Sequence, residues 1–599
     1  MAWYDEAVFY HIYPLGLAGA PKQNDYGEPV HRLNTLLPWV DHIKEIGGSA
    51  LYIGPLFESV GHGYETTDYK KLDSRLGTNE DLTAFVAYCH EQGIKVIFDG
   101  VFNHTGRDFF AFKDIQANRE NSHYKDWYCN VNFWGNNEYN DGFSYDNWGG
   151  YNLLVKLNQK NPAVVDYICD VIRFWVSEFD VDGIRLDAAD VLDFDFMKAL
   201  RRTANEVKPD FWLMGEVIHG DYSRWVNGET LHSVTNYTLH KALYSGHNDH
   251  NYFEIAHTVR RLQNMGTLKL YNFVDNHDVE RIYTKLTNKA HFAPVHVLLY
   301  TLPGVPSIYY GSEFGIEGRK EYGSDDSLRP ALNIEDYKDS VKTNPCTALI
   351  AALGKVRQAV PALSYGSYDE LMLTNRQFAY ARDLDGTRVI VSVNNDDAPA
   401  GMHLAAGNCT AYIGALSGEK VSVQDGHINI TQPANSGEIW VPEVTDLDVK
   451  PVKVVTKTDS EAKTNTEDKA ASETATDAKG NKEAEPKIES KESKDIVTAT
   501  ESADAKKNTT DIEKNTTAAN EVKDSAKDAS AQAAADTPVD PETITVDWSK
   551  SPESMTVPEL QAAILAKLAG NGPVDAQMKK TVVDNIWHDS LVNWLKSFR

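Results

Sequence analysis

Four acidic segments contain the residues with which this chain could do chemistry. In Gly183-Ile184-Arg185-Leu186-Asp187 a guanidinium stands two residues before a carboxylate, at the end of an apolar run. If that run is a short buried strand, Arg185 and Asp187 emerge on one face, because side chains alternate along a strand. A cation beside a carboxylate holds it ionised at neutral pH, as a nucleophilic or charge-stabilising group requires. Alone, such a pair is more often a structural salt bridge. Three companions change the weighting: Asp99 to His104 (Asp-Gly-Val-Phe-Asn-His), Gly215 to His219 (Gly-Glu-Val-Ile-His) and Phe273 to Asp278 (Phe-Val-Asp-Asn-His-Asp). Each follows or closes an apolar run. Together the four supply Asp187, Glu216 and Asp278, with His104, Arg185 and His277 around them.

The elements that must position these groups are legible in the first 360 residues. Short apolar runs alternate there with amphipathic stretches, the pattern of repeated strand–helix units. Strands are expected over 8–12, 50–53, 95–98, 183–186, 212–214, 233–236, 270–274 and 306–309. Eight of them predict an α/β fold, a (β/α)8 TIM barrel over 1–360, whose working residues lie at the C-terminal strand ends. Residues 105–156, rich in Trp, Tyr, Asn and Gly, read as a small domain inserted after strand 3. Its tryptophans Trp127, Trp134 and Trp148 either stack on ligand rings or build a compact loop core. Residues 361–443 read as an antiparallel β-domain. The segment 444–545 has no aromatic residue and is dominated by small and charged residues, which predicts a low-complexity disordered linker. The end, 546–599, reads as a small three-helix module, opened by the capping box Thr556-Val-Pro-Glu559.

Bulk properties exclude some functions. A net charge of −28 leaves no basic face for phosphates, so no nucleic-acid partner is expected. No stretch approaches about 18 uninterrupted apolar residues, so no membrane span is expected. Five scattered cysteines without C-x-x-C spacing argue against a disulfide framework or zinc site. With an N-terminus that lacks a basic region, they suggest a cytoplasmic protein.

The four segments, in this order, resemble the motifs of the α-amylase superfamily of glycoside hydrolases. The resemblance implies a retaining mechanism with Asp187 as nucleophile, Glu216 as acid/base and Asp278 as the carboxylate that binds sugar hydroxyls. Arg185 would orient Asp187, and His104 and His277 would bond hydroxyls at the cleavage subsite. Tyr64, in Gly63-Tyr64, resembles the family's stacking tyrosine. Asp325 and Arg329 lie where relatives place a sugar-binding arginine. The stretch from Tyr145 through Trp148 to Asn158, together with Gly215 to His219, is similar to neopullulanases, cyclomaltodextrinases and maltogenic amylases. On that basis Trp148 and His219 join the substrate-binding set. Leu154-Val155 depart from that group, as does Asp275-Asn276, which is closer to typical α-amylases. The barrel is also expected to begin at once, without that group's N-terminal β-domain.

No organic cofactor is implied. Asn103 matches a Ca²⁺ ligand of many α-amylases, but Asp190-Val191 replace the Lys-His that accompanies it there. The expected function is hydrolysis of α-1,4 bonds in maltodextrins, starch fragments or cyclodextrins. A 4-α-glucanotransferase would use the same triad, and a catalytically idle glucan-binding scaffold is the non-enzyme alternative. The final module could dock a partner.

Overall fold

The structure, a computed structural model of the chain, describes residues 2–266, 268–321 and 324–443, and near the end 546, 550–551, 555–569 and 595. Eight parallel strands form one sheet: β1 (Phe9–Ile12), β2 (Ala50–Ile53), β3 (Lys95–Gly100), β4 (Gly183–Leu186), β5 (Trp212–Gly215), β6 (Ser233–Val234), β7 (Tyr271–Phe273) and β8 (Val305–Tyr309). The order is β6-β5-β4-β3-β2-β1-β8-β7. A parallel bridge from Thr235 to Tyr271 joins the two ends and closes the barrel. The expected strands are all present, and β6 is the shortest.

Helices cover the outside: α1 (Leu37–Glu45), α2 (Asn79–Glu91), α3 (Pro162–Phe179), α4 (Phe194–Val207), α5 (Tyr237–Asn248), α6 (Tyr252–Asn264), α7 (Phe292–Thr301) and α8 (Pro345–Ala359). Their starts follow local chemistry. Thr78 and Asp81 form a capping box on α2, Asn161 caps α3 ahead of Pro162, and Asp193 caps α4. The fifth crossover departs from the repeat. Between β5 and β6 it holds only the 3-10 turn Tyr222–Arg224, while two helices follow β6.

The barrel interior changes character along its axis. Phe9, Tyr52, Ile97, Trp212, Met214, Tyr271 and Phe273 pack its lower part, with Trp212 stacked on Phe9 at 5.0 Å. Gly183 makes this possible, because a Cβ there would lie 2.6 Å from the Trp212 carbonyl oxygen. Two residues further along three of these strands stand Asp99, Arg185 and Glu216. The strand alternation that buries the aromatic layer therefore delivers charge to the top.

The β-domain comprises β9 (Ser367–Leu373), β10 (Gln377–Leu384), β11 (Thr387–Asn394), β12 (Ala400–Ala405), β13 (Ala411–Gly414), β14 (Lys420–Ser422), β15 (His427–Gln432) and β16 (Ser436–Pro442). Six strands form an antiparallel sheet in the order β9-β10-β11-β16-β13-β14, and β12 pairs with β15. Ile390, Met402, Leu404, Ile428 and Trp440 are among the residues filling the space between them. The expected linker, 444–545, lies outside the described residues. Of the expected three-helix module, the first helix, Val557–Ala569, is present. Thr556 N–H donates to Glu559 at 2.7 Å, as the capping box predicts. The second and third helices lie outside the described residues. Among the described residues, no helix is long and apolar enough to cross a membrane.

Burial holds several imidazoles neutral. His104 and His296 are pushed down to about 4, and His240 and His247 to about 3. Unfolded, each would take a proton near its ordinary pKa of about 6.5. Between those values the unfolded chain binds more protons, so stability falls as pH drops, by up to about 1.4 kcal/mol per pH unit for each group. Thermal melts are expected to show Tm declining steadily from pH 7 to pH 5. A flat profile would mean that these rings take up protons in the fold as readily as in the unfolded chain.

Candidate active site

Strand register brings the charged groups together. Asp99 on β3 lies directly beside Arg185 on β4, and Gly215 on β5 lies beside Leu186. The next residues, Asp187 and Glu216, therefore leave adjacent strand ends. Asp187 N–H donates to the Gly100 carbonyl at 3.1 Å, and Glu216 N–H to the Leu186 carbonyl at 2.9 Å. Arg185 is buried beneath both. Its Nη1 reaches Asp99 Oδ1 and Asp187 Oδ1, each at 2.9 Å, and its Nη2 reaches Glu216 Oε2 at 3.0 Å. One guanidinium thus serves three carboxylates.

Asp99, to which the sequence assigned no role, is the most deeply buried carboxylate of this set. It also accepts from the hydroxyls of Tyr52 at 2.7 Å and Tyr64 at 3.1 Å. Gly54 permits that packing, since a Cβ there would come within 2.3 Å of the Asp99 Cβ. The only advance signal for Asp99 was its place at a strand end. A second feature follows Asp187. Ala188 adopts a left-handed backbone with φ 46°, uncommon for a residue with a Cβ, and its N–H donates to Glu216 Oε2 at 3.1 Å.

Across the cavity, Asp278 pairs with His277 at 3.0 Å and with Arg329 at 2.8 Å, and Arg329 also reaches Asp325 at 3.1 Å. Tyr64, His277 and Tyr13 lie nearly parallel, with centroid separations of 5.7 and 5.9 Å. The Tyr64 hydroxyl meets His277 Nε2 at 2.5 Å. His104 is held by the Tyr64 carbonyl at 3.0 Å and lies parallel to Trp148.

These groups surround a concavity of about 310 Å³. Tyr64, His104, Trp148, Asp187, Glu216, Asp278, Asp325 and Arg329 all line it, and Arg185 and His277 sit behind its wall. His219 does not line it. That ring is exposed, because the chain turns outward after Val217 and presents Ile218 to the cavity instead. Sequence reasoning also passed over His62, Leu154, Ala188 and Asp190, which lie in the wall.

Burial pushes the Asp187 carboxyl well above the ordinary carboxylate range. Arg185 opposes this, while the neighbouring charges of Glu216 and Asp99 add to it. Asp278 moves the other way. Although burial would raise it, His277 and Arg329 hold it well below the usual range. The cavity therefore offers a carboxyl of raised proton affinity on one wall and a firmly ionised carboxylate on the other.

The oxygen set around Asn103 does not fit a calcium ion, which takes six to eight oxygen ligands. The Asn103 carboxamide is buried, and its oxygen accepts from Gln159 Nε2 at 3.4 Å. Gln159 Oε1 in turn accepts from Asp193 N–H at 2.6 Å. A neutral amide thereby links the end of β3 to the loop behind Asp187. Among the described residues, no group of three or more His, Cys, Asp or Glu could hold a metal.

This geometry can be set beside known proteins. Residues 32–355 match the model of the α-amylase catalytic domain, more than half of the chain. The chain belongs to the α-amylase family of glycoside hydrolases. A cyclomaltodextrinase of a Bacillus species is 31% identical over 422 residues, covering 66% of this chain and 74% of the relative. Neopullulanase 2 of Thermoactinomyces vulgaris is 29% identical over 473 residues, covering 73% and 78%. A solved cyclomaltodextrinase structure superposes with a TM-score of 0.66 at 27% identity, covering 73% of this chain and 78% of that one.

Two outcomes test this site. Asp99→Asn removes a negative charge that raises the proton affinity of Asp187, so the acid limb of kcat/KM is expected to move to lower pH. Breaking a buried ion pair should also cost about 3–5 kcal/mol in denaturant unfolding. An unmoved acid limb would mean that Asp99 only supports the fold. Separately, EDTA is expected to leave Tm and rate unchanged, whereas Gln159→Ala lowers both. A loss on chelation that Ca²⁺ restores would contradict the amide link.

Proposed function

We propose that this enzyme is a retaining α-glucan hydrolase that cleaves α-1,4 bonds of maltodextrins, starch fragments and cyclodextrins. The observation that carries this reading is the single Arg185 guanidinium bonded through adjacent nitrogens to both Asp187 and Glu216. Retaining glycosidases need two carboxyls roughly 5–5.5 Å apart, against about 6.5–9.5 Å for inversion. A shared guanidinium suits the shorter spacing. The names of the related cyclomaltodextrinase and neopullulanase support the substrate class.

In this reading the proton that burial draws to Asp187 passes to Glu216 beside the shared Arg185 as substrate seats, and Glu216 gives it to the glycosidic oxygen as the bond to C1 breaks. Asp187, left ionised against Arg185, attacks C1 and forms a glycosyl ester. Glu216, now a carboxylate, removes a proton from water, whose oxygen attacks C1 and releases Asp187. Each proton given in the first half returns in the second. Asp278, fixed by His277 and Arg329, accepts hydrogen bonds from sugar hydroxyls, while Tyr64 and Trp148 offer ring faces and His104 a neutral imidazole. If a sugar hydroxyl replaces water in the second half, the same residues perform 4-α-glucan transfer. A cytoplasmic location is part of the proposal, supported by five free cysteines and by relatives named intracellular maltogenic amylase.

The test is product analysis with β-cyclodextrin, pullulan and soluble starch, run beside Asp187→Asn and Glu216→Gln. Both variants are expected to lose at least about 10³-fold in kcat, since the uncatalysed reaction is extremely slow. NMR should show the α-anomer of the product first. The β-anomer appearing first would rule out retention. Products longer than the supplied chains would favour the transferase.

A further inference from the structure

A second concavity, of about 720 Å³, lies in the inserted segment and shares no lining residue with the catalytic cavity. Trp134 stands at its edge with 98% of its surface exposed. Exposing a whole indole forfeits the burial that this segment secures for its other rings. Trp127, for example, packs against Phe110, Tyr124 and Tyr167.

The turn that presents Trp134 is braced. Asn132 Oδ1 accepts from Trp134 N–H at 3.0 Å, and the Asn132 carbonyl accepts from Gly135 N–H at 3.1 Å. Asn132 and Ser144 exchange backbone hydrogen bonds at 2.8 and 3.0 Å. A Cβ at Gly135 would lie 2.3 Å from the Ser144 hydroxyl, so only glycine lets the turn sit this close. The rest of the wall mixes Phe133, Tyr145 and Val131 with the hydrogen-bonding groups of Asn130, Ser144, Asp146 and Glu120.

A wall that mixes aromatic ring faces with amide, hydroxyl and carboxylate groups fits a neutral polyhydroxylated ring. It does not resemble the contiguous apolar centre of a protein interface. The placement favours the same ligand as the catalytic cavity. Ser144, Tyr145 and Asp146 line the second concavity, and Trp148 lines the first. Four residues of chain span at most about 14 Å, so one run of backbone walls both.

We propose that Trp134 and this concavity form a second α-glucan site, which holds a distal part of a longer chain while its end occupies the catalytic cavity. The inference rests on the glucan reading above. In a Glu216→Gln background, Trp134→Ala is expected to weaken binding of soluble amylose about five- to tenfold, the value of one aromatic stacking contact. Trp134→Tyr is expected to keep most of the affinity. In the active protein, Trp134→Ala should lower the ratio of kcat/KM on soluble starch to kcat/KM on maltotriose by a similar factor. The substituted side chain is solvent-exposed, so Tm is expected to stay put. Unchanged amylose binding and an unchanged ratio, in a wild type that cleaves both substrates, would overturn the second site and leave the hydrolase reading intact. A wild type that cleaves neither and binds no amylose would overturn both.

Discussion

Everything at the mouth of this barrel is organised around one buried cation. Arg185 has three carboxylates within hydrogen-bond reach, so the cluster is short of positive charge by design of its strands. A buried guanidinium is tolerable only when such partners surround it. Because the partners outnumber it, at least one of them is under pressure to keep a proton. The same arrangement that pays for burying Arg185 thus prepares a proton beside a second carboxylate, as the proposed mechanism requires. Gly54, the register of β3 with β4, and the left-handed Ala188 all serve to bring oxygen atoms to this one group.

The barrel was legible because its strands are short apolar runs that end abruptly in charge, a contrast visible without any contact map. Asp187, Glu216 and Asp278 stood out for the same reason. Asp99 did not, because its importance depends on lateral register between two strands, and spacing along the chain does not encode register. Tyr52 was invisible as a site residue on the same ground. His219 illustrates the converse: it lies three residues beyond Glu216, yet the outward turn after Val217 carries it into solvent. The missing helix in the fifth crossover and the edge strands β9, β12 and β14 escaped notice because short or weakly patterned segments take their form from neighbours.

The inserted segment shows how one composition can serve three purposes. Trp127 is built into a ring cluster, Trp148 faces the catalytic cavity, and Trp134 faces water. Residue type alone could not sort them, since an indole is equally good at all three tasks. Gln159 teaches a similar lesson about Asn103. A matching asparagine suggests a cation only until its carboxamide is found already satisfied by another amide.

The fifth crossover, 216–232, has a bearing on how this enzyme could diverge. It begins with Glu216, lines the cavity through the half-exposed Ile218, and carries no helix that must dock on the sheet. Residues can be added or removed in its exposed stretches, 218–221 and 227–229, while the buried Tyr222, Trp225 and Leu231 keep the connection seated on the barrel. This family member therefore carries exposed, helix-free chain next to its proposed proton donor, where a new rim would alter which acceptor molecules can approach without redesigning the barrel.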